Sequence, residues 1–490
     1  MRHVLPCLLL LIPALAAAQP PSARATSQLS RADSVLLYEV LSAEDRRDAA
    51  ATALVRGIAH PDPRIAHIAR RARARLADST FAERDVLGRP DASRPFPAWP
   101  EPEWAARYRA LGGRDGACAP MIEAFVDSAV QVALRAIVLS GQRRDCVGNA
   151  DASGALRRFL HYPDGHGPTR TWGQGSWHYA SDALVALSRV DPVASGVSRS
   201  MLVRTPLPML RRAVARSAAI VRDTNTLRLL MQDANGNVQE AAIRGLAALD
   251  APAYASEFRA RLGHEIPQVA LAAAAALKGN ADPETTRAAA AELERRIARN
   301  WSAERDIRNA LREVLGQPAS EPWQPGQADS LPWEVVALAL GERRLLQVQM
   351  EGQREFTVEL RGDIAPIQAA RVLAHARAGR YDGTSWHRVE PNFVIQGGSP
   401  HDNEYSGSGR FVVDELGTVA HPRGSVGMST RGHSTGDLQW FVNLRDNARL
   451  TGAYTVFAVV VDGMAVVDEA MEGDRIQRLR ELSATRPTPP

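Results

Sequence analysis

The stretch WHRVEPNFVIQGG, Trp386 to Gly398, decides the fold of the C-terminal part of this 490-residue chain. It places one arginine, Arg388, among apolar residues, and follows it with a proline, a short β-like run, a glutamine and two glycines. The glycine pair predicts a bend or bulge where backbones approach closely. The stretch contains no recognisable acid–base pair, cysteine or phosphate-binding loop. Any chemistry here must therefore rest on an isolated arginine beside an apolar wall.

The segments around this stretch predict a small β-rich domain. Upstream, LLQVQM (345–350) and FTVEL (356–360) alternate apolar and polar residues on either side of EGQRE, which predicts a hairpin. APIQAARVLAHARAG (365–379) then predicts one amphipathic helix that ends at Gly379. Short strands and glycine turns continue to about residue 460. This order predicts a sheet closed as a barrel, with a helix or two packed on it.

Four segments carry a family resemblance: YDGTSWHRVEPNFVIQGG (381–398), RGSVGMSTRGHSTGDLQWFVNL (423–444), LTGAYTVFAVVVDGMAVVD (450–468) and EGDRI (472–476). Their order and spacing resemble a cyclophilin-type peptidyl-prolyl isomerase, particularly the bacterial kind, over about residues 345 to 482. The resemblance implies a cyclophilin-like closed β-barrel with flanking helices. It also implies cis–trans isomerisation of X-Pro bonds in proline-containing polypeptides.

The resemblance also implies roles for individual residues. Arg388 matches the family's catalytic arginine, and Gln396 matches a glutamine that positions it. The residues implied for substrate binding are Phe393, Val394, Thr430, Gln439, Phe441, Leu450 and Tyr454. Val394 and Tyr454 stand where many relatives have methionine and histidine. Arg449 falls where many eukaryotic relatives have a tryptophan that hydrogen-bonds cyclosporin, which puts tight cyclosporin binding in doubt but not isomerisation.

The chemistry of this reaction explains the missing acid–base pair. Amide resonance opposes rotation about the peptide bond with a barrier of about 18–20 kcal/mol. Before proline, the cis and trans forms differ by only about 0.5–1 kcal/mol but exchange over tens of seconds or more. Catalysis breaks no covalent bond, so no nucleophile, metal or cofactor is needed. A guanidinium such as that of Arg388 can donate to the twisted amide while an apolar slot holds the proline ring.

Residues 31 to 315 have a different, helical pattern. Alanine-rich amphipathic segments follow short turns in DPRIAHIARRARARL (62–76), PMLRRAVARSAAIV (208–221), NVQEAAIRGLAAL (237–249) and PQVALAAAAALKG (267–279). Several recur at a spacing of about 30 residues, which indicates stacked helix pairs. These segments resemble HEAT repeats, and they predict a solenoid that presents an extended surface. HYPDGHGPTRTWGQGSW (161–177) interrupts the pattern, either as a packed insertion or as a binding surface.

The N-terminus predicts export. MRHVLPCLLLLIPALAAAQP has a positive start, a short apolar run and an Ala-x-Ala site, with cleavage expected after Ala18. We therefore expect a periplasmic or secreted protein with no stable membrane insertion. The predicted divisions are a signal peptide (1–18), a disordered lead-in (19–30), a HEAT-like domain (31–315), a linker (316–333), a cyclophilin-like domain (334–483) and a disordered tail (484–490).

Composition excludes several other functions. The formal net charge is only +4, and the arginines are interspersed with acids, which argues against nucleic-acid binding. Signal removal leaves Cys118 and Cys146, which either pair as a disulfide in an oxidising compartment, the favoured alternative, or remain unrelated thiols. With only two cysteines and scattered histidines, we expect no metal site.

Three functions are compatible with these features. The favoured one is an exported prolyl isomerase that assists protein folding, with the helical region binding clients or an envelope partner. The second is a scaffold or chaperone whose cyclophilin-like domain binds proline segments with little turnover. The third, a metal-dependent hydrolase using His161, His166 and His178, has no carboxylate or histidine at a convincing ligand spacing.

Overall fold

The computed structural model describes residues 29–77, 93–112, 117–160, 176–318 and 330–482. The predicted signal peptide and C-terminal tail lie outside these ranges, as do all but residues 29 and 30 of the lead-in and most of the predicted linker. His161 and His166 also lie outside them, together with residues 161–175 of the interrupting segment. In the described part of the chain, no helix is both long and apolar enough to cross a membrane.

Helices dominate the chain as far as residue 314. Their bounds are α1 Arg31–Asp45, α2 Thr52–Ile58, α3 Pro63–Ala77, α4 Trp104–Ala110, α5 Ala119–Ala124, α6 Val130–Ser140, α7 Ala150–Arg158, α8 Trp177–Val190, α9 Pro192–Leu202, α10 Pro208–Ile220, α11 Thr224–Leu230, α12 Gly236–Asp250, α13 Ala255–Arg259, α14 Pro267–Ala276, α15 Pro283–Arg299 and α16 Arg305–Val314. Several begin with a side-chain cap, as Asp223 does for α11 and Asp282 for α15.

The helices from α6 onward form an ordered array. Helices α6, α8, α10, α12, α14 and α16 pack in succession, each against the next. Small residues allow this approach: a Cβ on Gly245 of α12 would lie 2.8 Å from the side chain of Leu227 on α11. We call α5–α16 the helical array. Its packing agrees with stacked helix pairs, and its assignment to HEAT repeats stays a prediction.

The C-terminal part contains one eight-stranded sheet. Its strands are β1 Leu345–Met350, β2 Arg354–Leu360, β3 Arg388–Glu390, β4 Val394–Gly397, β5 Ser425–Met428, β6 Trp440–Asn443, β7 Val456–Asp462 and β8 Ile476–Leu482. Three helices accompany them: α17 Val335–Ala339, α18 Pro366–Arg377 and α19 Met464–Asp468. The predicted hairpin is confirmed as β1 and β2, and the predicted helix as α18, with Gly379 in a left-handed conformation just beyond its end.

The predicted closed barrel is wrong in one respect, because the sheet is open and curled. Its strand order is β3-β4-β6-β5-β7-β2-β1-β8, and every described pairing is antiparallel. The edge strands β3 and β8 form no ladder with each other. The segment just before β3 reaches the start of β8 through the isolated bridge of Ser385 with Arg475 and through single backbone hydrogen bonds, such as that of Ile476 N–H to the carbonyl oxygen of Thr384 at 2.8 Å. Because β3 has only three residues, it offers too short an edge for a continuous ladder.

Two hydrophobic cores divide the helices differently from the predicted boundary. The helical array has its own core, whereas apolar residues of α1–α3, such as Leu37, Val40 and Ile65, belong to the core of the sheet. The prediction grouped residues 31–315 as one helical unit. Packing instead assigns α1–α3 to the C-terminal sheet, because their apolar faces cover α17 and α18 rather than the array.

A buried ion cluster fixes this arrangement. Arg75 of α3 contacts Glu44 of α1 at 3.0 Å and Glu415 at 3.4 Å. Glu415 also accepts hydrogen bonds from the backbone N–H groups of Ile367 and Gln368, at the N-terminus of α18. A carboxylate is favoured at that position by the helix dipole and its free N–H groups. The cluster therefore ties two N-terminal helices to the C-terminal domain.

Candidate active site

The β3–β4 hairpin places Arg388 and Gln396 on one face of the sheet. Their backbones are directly opposite each other in the antiparallel register, so their side chains project on the same side. Asn392 adopts a positive φ of 62° in the turn that joins the two strands. One terminal nitrogen of Arg388 donates to Gln396 Oε1 at 3.3 Å. The register of the β3–β4 hairpin therefore orients the guanidinium of Arg388 through Gln396.

The buried side-chain amides of Gln396 and Gln439 continue this chain of hydrogen bonds. Gln396 Nε2 donates to Gln439 Oε1 at 3.0 Å. Gln439 Nε2 in turn donates to the carbonyl oxygens of Asn403 at 3.0 Å and Ser406 at 2.7 Å. Gln396 is 4% exposed and Gln439 is 5% exposed, so their hydrogen bonds face little competition from water. The orientation of Arg388 is therefore set by a chain of hydrogen bonds that runs through Gln396 and Gln439 to two backbone carbonyl groups.

Arg388 itself remains accessible. Its side chain is 38% exposed, and its Nε lies 3.4 Å from Glu404 and 3.7 Å from Glu390. Ion pairs this exposed contribute little stability. They do, however, limit where the guanidinium can move, so the cation is held at the surface of the cleft and available to a ligand.

An apolar cluster lies beside the arginine. Val394, Phe441 and Leu450 form it, with Phe393 and Tyr454 packed against them. The rings of Phe441 and Tyr454 meet edge to face at a centroid distance of 5.6 Å. A Cβ on Gly427 of β5 would collide with the Phe441 ring, so a glycine at that position makes room for the aromatic wall. This cluster has the character required of a slot for a proline ring.

These groups line one cleft of about 380 Å³. Of the predicted residues, the structure brings Arg388, Phe393, Val394, Gln396, Thr430, Phe441, Leu450 and Tyr454 to its wall. Gln439 is the exception: it lies behind Gln396, and its amide NH₂ group donates to backbone carbonyl groups instead of facing the cleft. Its geometry is that of a support for Gln396. The cleft volume is in the range of small-ligand sites.

The cleft also contains charged residues beyond the predicted set. Glu404 lines it beside Arg388, and no motif in the sequence pointed to this residue. Arg431 lines the cleft and is held by Asp306 of α16 at 2.7 Å. Arg449 lies 4.3 Å over the Phe393 ring and is exposed, with no acidic partner in the described ranges. A cation, and not an indole, thus covers this edge of the apolar slot.

Two buried histidines, one beside β3 in the sequence and one behind the aromatic wall, are kept neutral by burial. Burial lowers the pKa of His387, which precedes β3 and lies away from the cleft. Burial also lowers the pKa of His421 to about 4, and its ring stacks on Phe441 with a centroid distance of 6.1 Å. Neither ring lines the cleft with Arg388, so neither is placed as an acid or base.

The metal-hydrolase alternative gains nothing from the described residues. They contain no group of three or more histidine, cysteine, aspartate or glutamate side chains arranged to hold a metal. His178 instead contacts Ser176 Oγ at 2.8 Å and the carbonyl oxygen of Glu472 at 2.7 Å. Cys118 and Cys146 are joined by a disulfide, with both residues buried in the array core.

Comparisons with known proteins agree with this site. Residues 345–487 match the family model described as cyclophilin type peptidyl-prolyl cis-trans isomerase/CLD. Peptidyl-prolyl cis-trans isomerase B of Bacillus subtilis is 32% identical over 133 residues, which cover 27% of this chain and 93% of that protein. Peptidyl-prolyl cis-trans isomerase ppi1 of Schizosaccharomyces pombe is 33% identical over 141 residues, which cover 28% of this chain and 87% of that protein.

Proposed function

Since the chain belongs, through residues 345–487, to the cyclophilin-type peptidyl-prolyl cis-trans isomerase family, we propose that it is an exported isomerase that assists protein folding. The observation that carries the catalytic part is the pairing of Arg388, aimed by Gln396 and Gln439, with the apolar slot of Val394, Phe441 and Leu450. Proline-containing polypeptides are its substrates.

Each part of the site has a task in the bond rotation. The apolar slot binds the proline ring and removes water from one side of the planar amide. Rotation localises the lone pair on the prolyl nitrogen, which then becomes a hydrogen-bond acceptor. Arg388 supplies the donor, and its fixed orientation means that little reorganisation is needed as the bond twists. The enzyme thus stabilises the twisted amide more than either planar isomer.

The catalytic proposal is tested by replacing Arg388. With the full chain, exchange between cis and trans forms of an X-Pro peptide should be faster than in buffer, as measured by NMR exchange spectroscopy. Arg388→Ala should lower kcat/KM by about 100-fold, the typical loss for one preorganised donor. Arg380→Ala, at an exposed arginine outside the cleft, is the matched control and should retain activity. Wild-type exchange at the buffer rate would exclude the enzyme.

The NMR exchange measurement also distinguishes the isomerase from a scaffold that only binds proline segments. A scaffold would bind proline peptides with little acceleration of exchange, whereas the isomerase accelerates exchange at catalytic concentrations. The presence of Arg388 with its supporting glutamines favours the isomerase, because loss of the arginine is the simplest route to a domain that only binds.

We propose that the helical array is a HEAT-like solenoid that holds clients or an envelope partner. Its support is the succession of packed helices, which leaves an extended surface beside the catalytic domain. The test uses an unfolded polypeptide that contains no proline. Because such a polypeptide has no proline ring for the cleft, its binding reports on the array. The polypeptide should bind the full chain with an affinity unchanged by Arg388→Ala; absence of binding would contradict the client role.

Export is the remaining part of the proposal. Its support is the sequence of residues 1–18, and the expected mature protein begins at Gln19. N-terminal sequencing of protein from the periplasm or medium tests this. Recovery only from the cytoplasm with an intact N-terminus would contradict it.

A further inference from the structure

One loop, residues 399–406, lies between the active site and the helical array. On its active-site side, Gln439 donates to the carbonyl oxygens of Asn403 and Ser406. Within it, Asn403 Oδ1 accepts from the backbone N–H groups of Tyr405 at 2.8 Å and Ser406 at 3.0 Å. The loop has no regular secondary structure. Asn403 Nδ2 also donates to the carbonyl oxygen of His401 at 3.0 Å, and Ser385 Oγ donates to Asp402 Oδ1 at 2.6 Å. The position of the loop's carbonyl groups therefore depends on these bonds together with the contacts made at its two sides.

The array supplies the contact on the other side. Asn237 Nδ2 donates to the carbonyl oxygens of His401 and Asp402, both at 3.1 Å. Asn237 is the second residue of α12, whose first turn is fixed because Asn235 Oδ1 accepts from the backbone N–H groups of Asn237 and Val238. The donor group, Asn237 Nδ2, therefore lies in the first turn of a helix whose N-terminus is capped.

A second helix orients the amide of Asn237. Gln268 Nε2, on α14, donates to Asn237 Oδ1 at 2.6 Å. Gln268 is only 1% exposed, so it is itself fixed by the packing of the array. With its oxygen engaged by Gln268, the Asn237 amide must direct its NH₂ group toward the loop. The array therefore specifies which end of Asn237 meets the two carbonyl groups.

We propose that Asn237 is a positioning residue for isomerisation, acting on Arg388 through the 399–406 loop and Gln439; this inference rests on the proposed isomerase function. The path is continuous. It runs from Gln268 to Asn237, through the loop backbone to Gln439, and then through Gln396 to the guanidinium. The helical array is thereby a structural part of the catalytic site as well as its neighbour.

The physical reason is preorganisation. A guanidinium that must donate to a transient acceptor loses effect when its own supports can shift, and a displacement of about 1 Å can cost as much as 100-fold in rate. The links of Gln396 and Gln439 are buried, and they transmit position well because an unmade link would leave a polar group without a partner. Releasing His401 and Asp402 from the array lets the loop move, and with it the two carbonyl groups that hold Gln439.

A separate contact limits how far the loop region can move. Beyond the loop, Phe411 N–H donates to Ser302 Oγ at 2.6 Å, and Ala303 N–H donates to Gly409 O at 3.3 Å. Asp306 also holds Arg431, which contacts the loop at the carbonyl oxygen of Glu404. Loss of Asn237 alone should therefore give a partial effect on rate, with the fold retained.

The test is Asn237→Asp in the full chain. Aspartate keeps the shape and the acceptor for Gln268, removes both donors to the loop, and suits the first turn of a helix. We expect kcat for an X-Pro tetrapeptide to fall about 3- to 10-fold while KM stays within about twofold, because the supports of Arg388 are loosened and the apolar slot is intact. Asn237→Ala, which adds no charge, should give the same loss.

The matched control is Asn225→Asp. Asn225 is the second residue of α11, as Asn237 is of α12, and it is exposed with no side-chain partner in the described ranges. This variant should keep the wild-type rate. Unchanged melting temperatures in all three variants would exclude a loss of folding as the cause of any change in rate.

A kinetic double-mutant cycle shows whether the effect passes through Arg388. In an Arg388→Ala background, Asn237→Asp should cause no further loss, since the group that it positions is absent. An active wild-type protein with equal rates for Asn237→Asp and Asn225→Asp would overturn the positioning role alone, as would fully additive losses with Arg388→Ala. A wild-type protein no faster than buffer would overturn the isomerase and this role together.

Discussion

At the scale of single residues, the active site depends on which groups are kept charged and which neutral. Arg388 is charged and partly exposed, whereas the histidine behind the aromatic wall is buried and neutral. His421 is 1% exposed, and its Nε2 lies 3.2 Å from the carbonyl oxygen of Tyr454. Since its ring stacks on Phe441, a proton on His421 would put a charge against the apolar cluster of Val394, Phe441 and Leu450.

This burial predicts a pH-dependent difference in stability. Burial lowers the pKa of His421 from its usual 6.5 to about 4 in the folded chain. As pH falls from 6.5 to 4, the unfolded chain binds a proton that the folded chain does not, so the residue lowers stability by up to about 3 kcal/mol. We expect the unfolding free energy of the wild type, relative to His421→Gln, to fall by that amount between pH 7 and pH 4.

Urea unfolding of both chains at the two pH values measures this difference. Comparison of the two chains is necessary because burial raises the pKa of Glu415 to about 7 and that of Asp437 to about 6. Those carboxyl groups take up protons in the folded state first and so favour folding as pH falls. Their effect is common to both chains. A wild-type minus variant difference that does not change with pH would contradict the assignment of a neutral His421.

At the scale of elements, the disulfide fastens the start of the helical array. Cys118 immediately precedes α5, and Cys146 ends a short 3₁₀ turn before α7, with α5 and α6 between them. The terminal helices of a stacked array have a neighbour on one side only, so they are the ones most prone to fray. A cross-link at this point restrains the first helices where packing is least complete.

Removing the cross-link should weaken this end of the array. The two cysteines are 28 residues apart, for which the chain-entropy model gives about 3–4 kcal/mol. We expect Cys118→Ala with Cys146→Ala to lower the unfolding midpoint of the array in urea and to make that midpoint insensitive to a reductant. The wild-type midpoint should fall when reductant is added. Full thiol labelling of protein that was purified under oxidising conditions and then unfolded without reduction would contradict the bond.

At the scale of the whole molecule, the catalytic domain is larger than its sequence motif. Helices α1–α3 share its core, and Trp99, in the segment before α4, donates from its indole to the carbonyl oxygen of Val460 on β7. Arg75 of α3 pairs with Glu415, a buried carboxylate of the C-terminal part. The shared core and this ion pair therefore join α1–α3 to the C-terminal part.

A fragment cut to the family motif should therefore be unstable. Residues 330–482 alone would expose the apolar surface that α1–α3 cover and leave Glu415 without Arg75. We expect this fragment to melt below the full chain and to bind a hydrophobic dye such as ANS, as measured by calorimetry and fluorescence. Residues 29–482, which keep α1–α3, are the control and should bind no dye. A fragment that matches the control in both measurements would show that the predicted boundary at residue 334 is sufficient.

The sequence determined those features that depend on local spacing. The hairpin of β1 and β2, the helix α18 and the alignment of Arg388 with Gln396 each follow from residues close in the chain, where strand alternation or helix periodicity fixes which side chains share a face. The gathering of Phe441, Leu450 and Tyr454 at the same cleft followed from the family resemblance. Composition alone could not supply it.

Tertiary structure decided what depends on contacts between distant residues. Whether the sheet closes depends on an edge strand of three residues, and α1–α3 join the core of the C-terminal domain because their apolar faces fit its α17 and α18 helices. Glu404 and Asn237 carry no sequence signal, since an exposed acid and a polar residue in a first helical turn are common. They matter only because folding brings one to Arg388 and the other to the loop that supports it. Local periodicity fixes elements, whereas the fit of separate surfaces fixes their assembly.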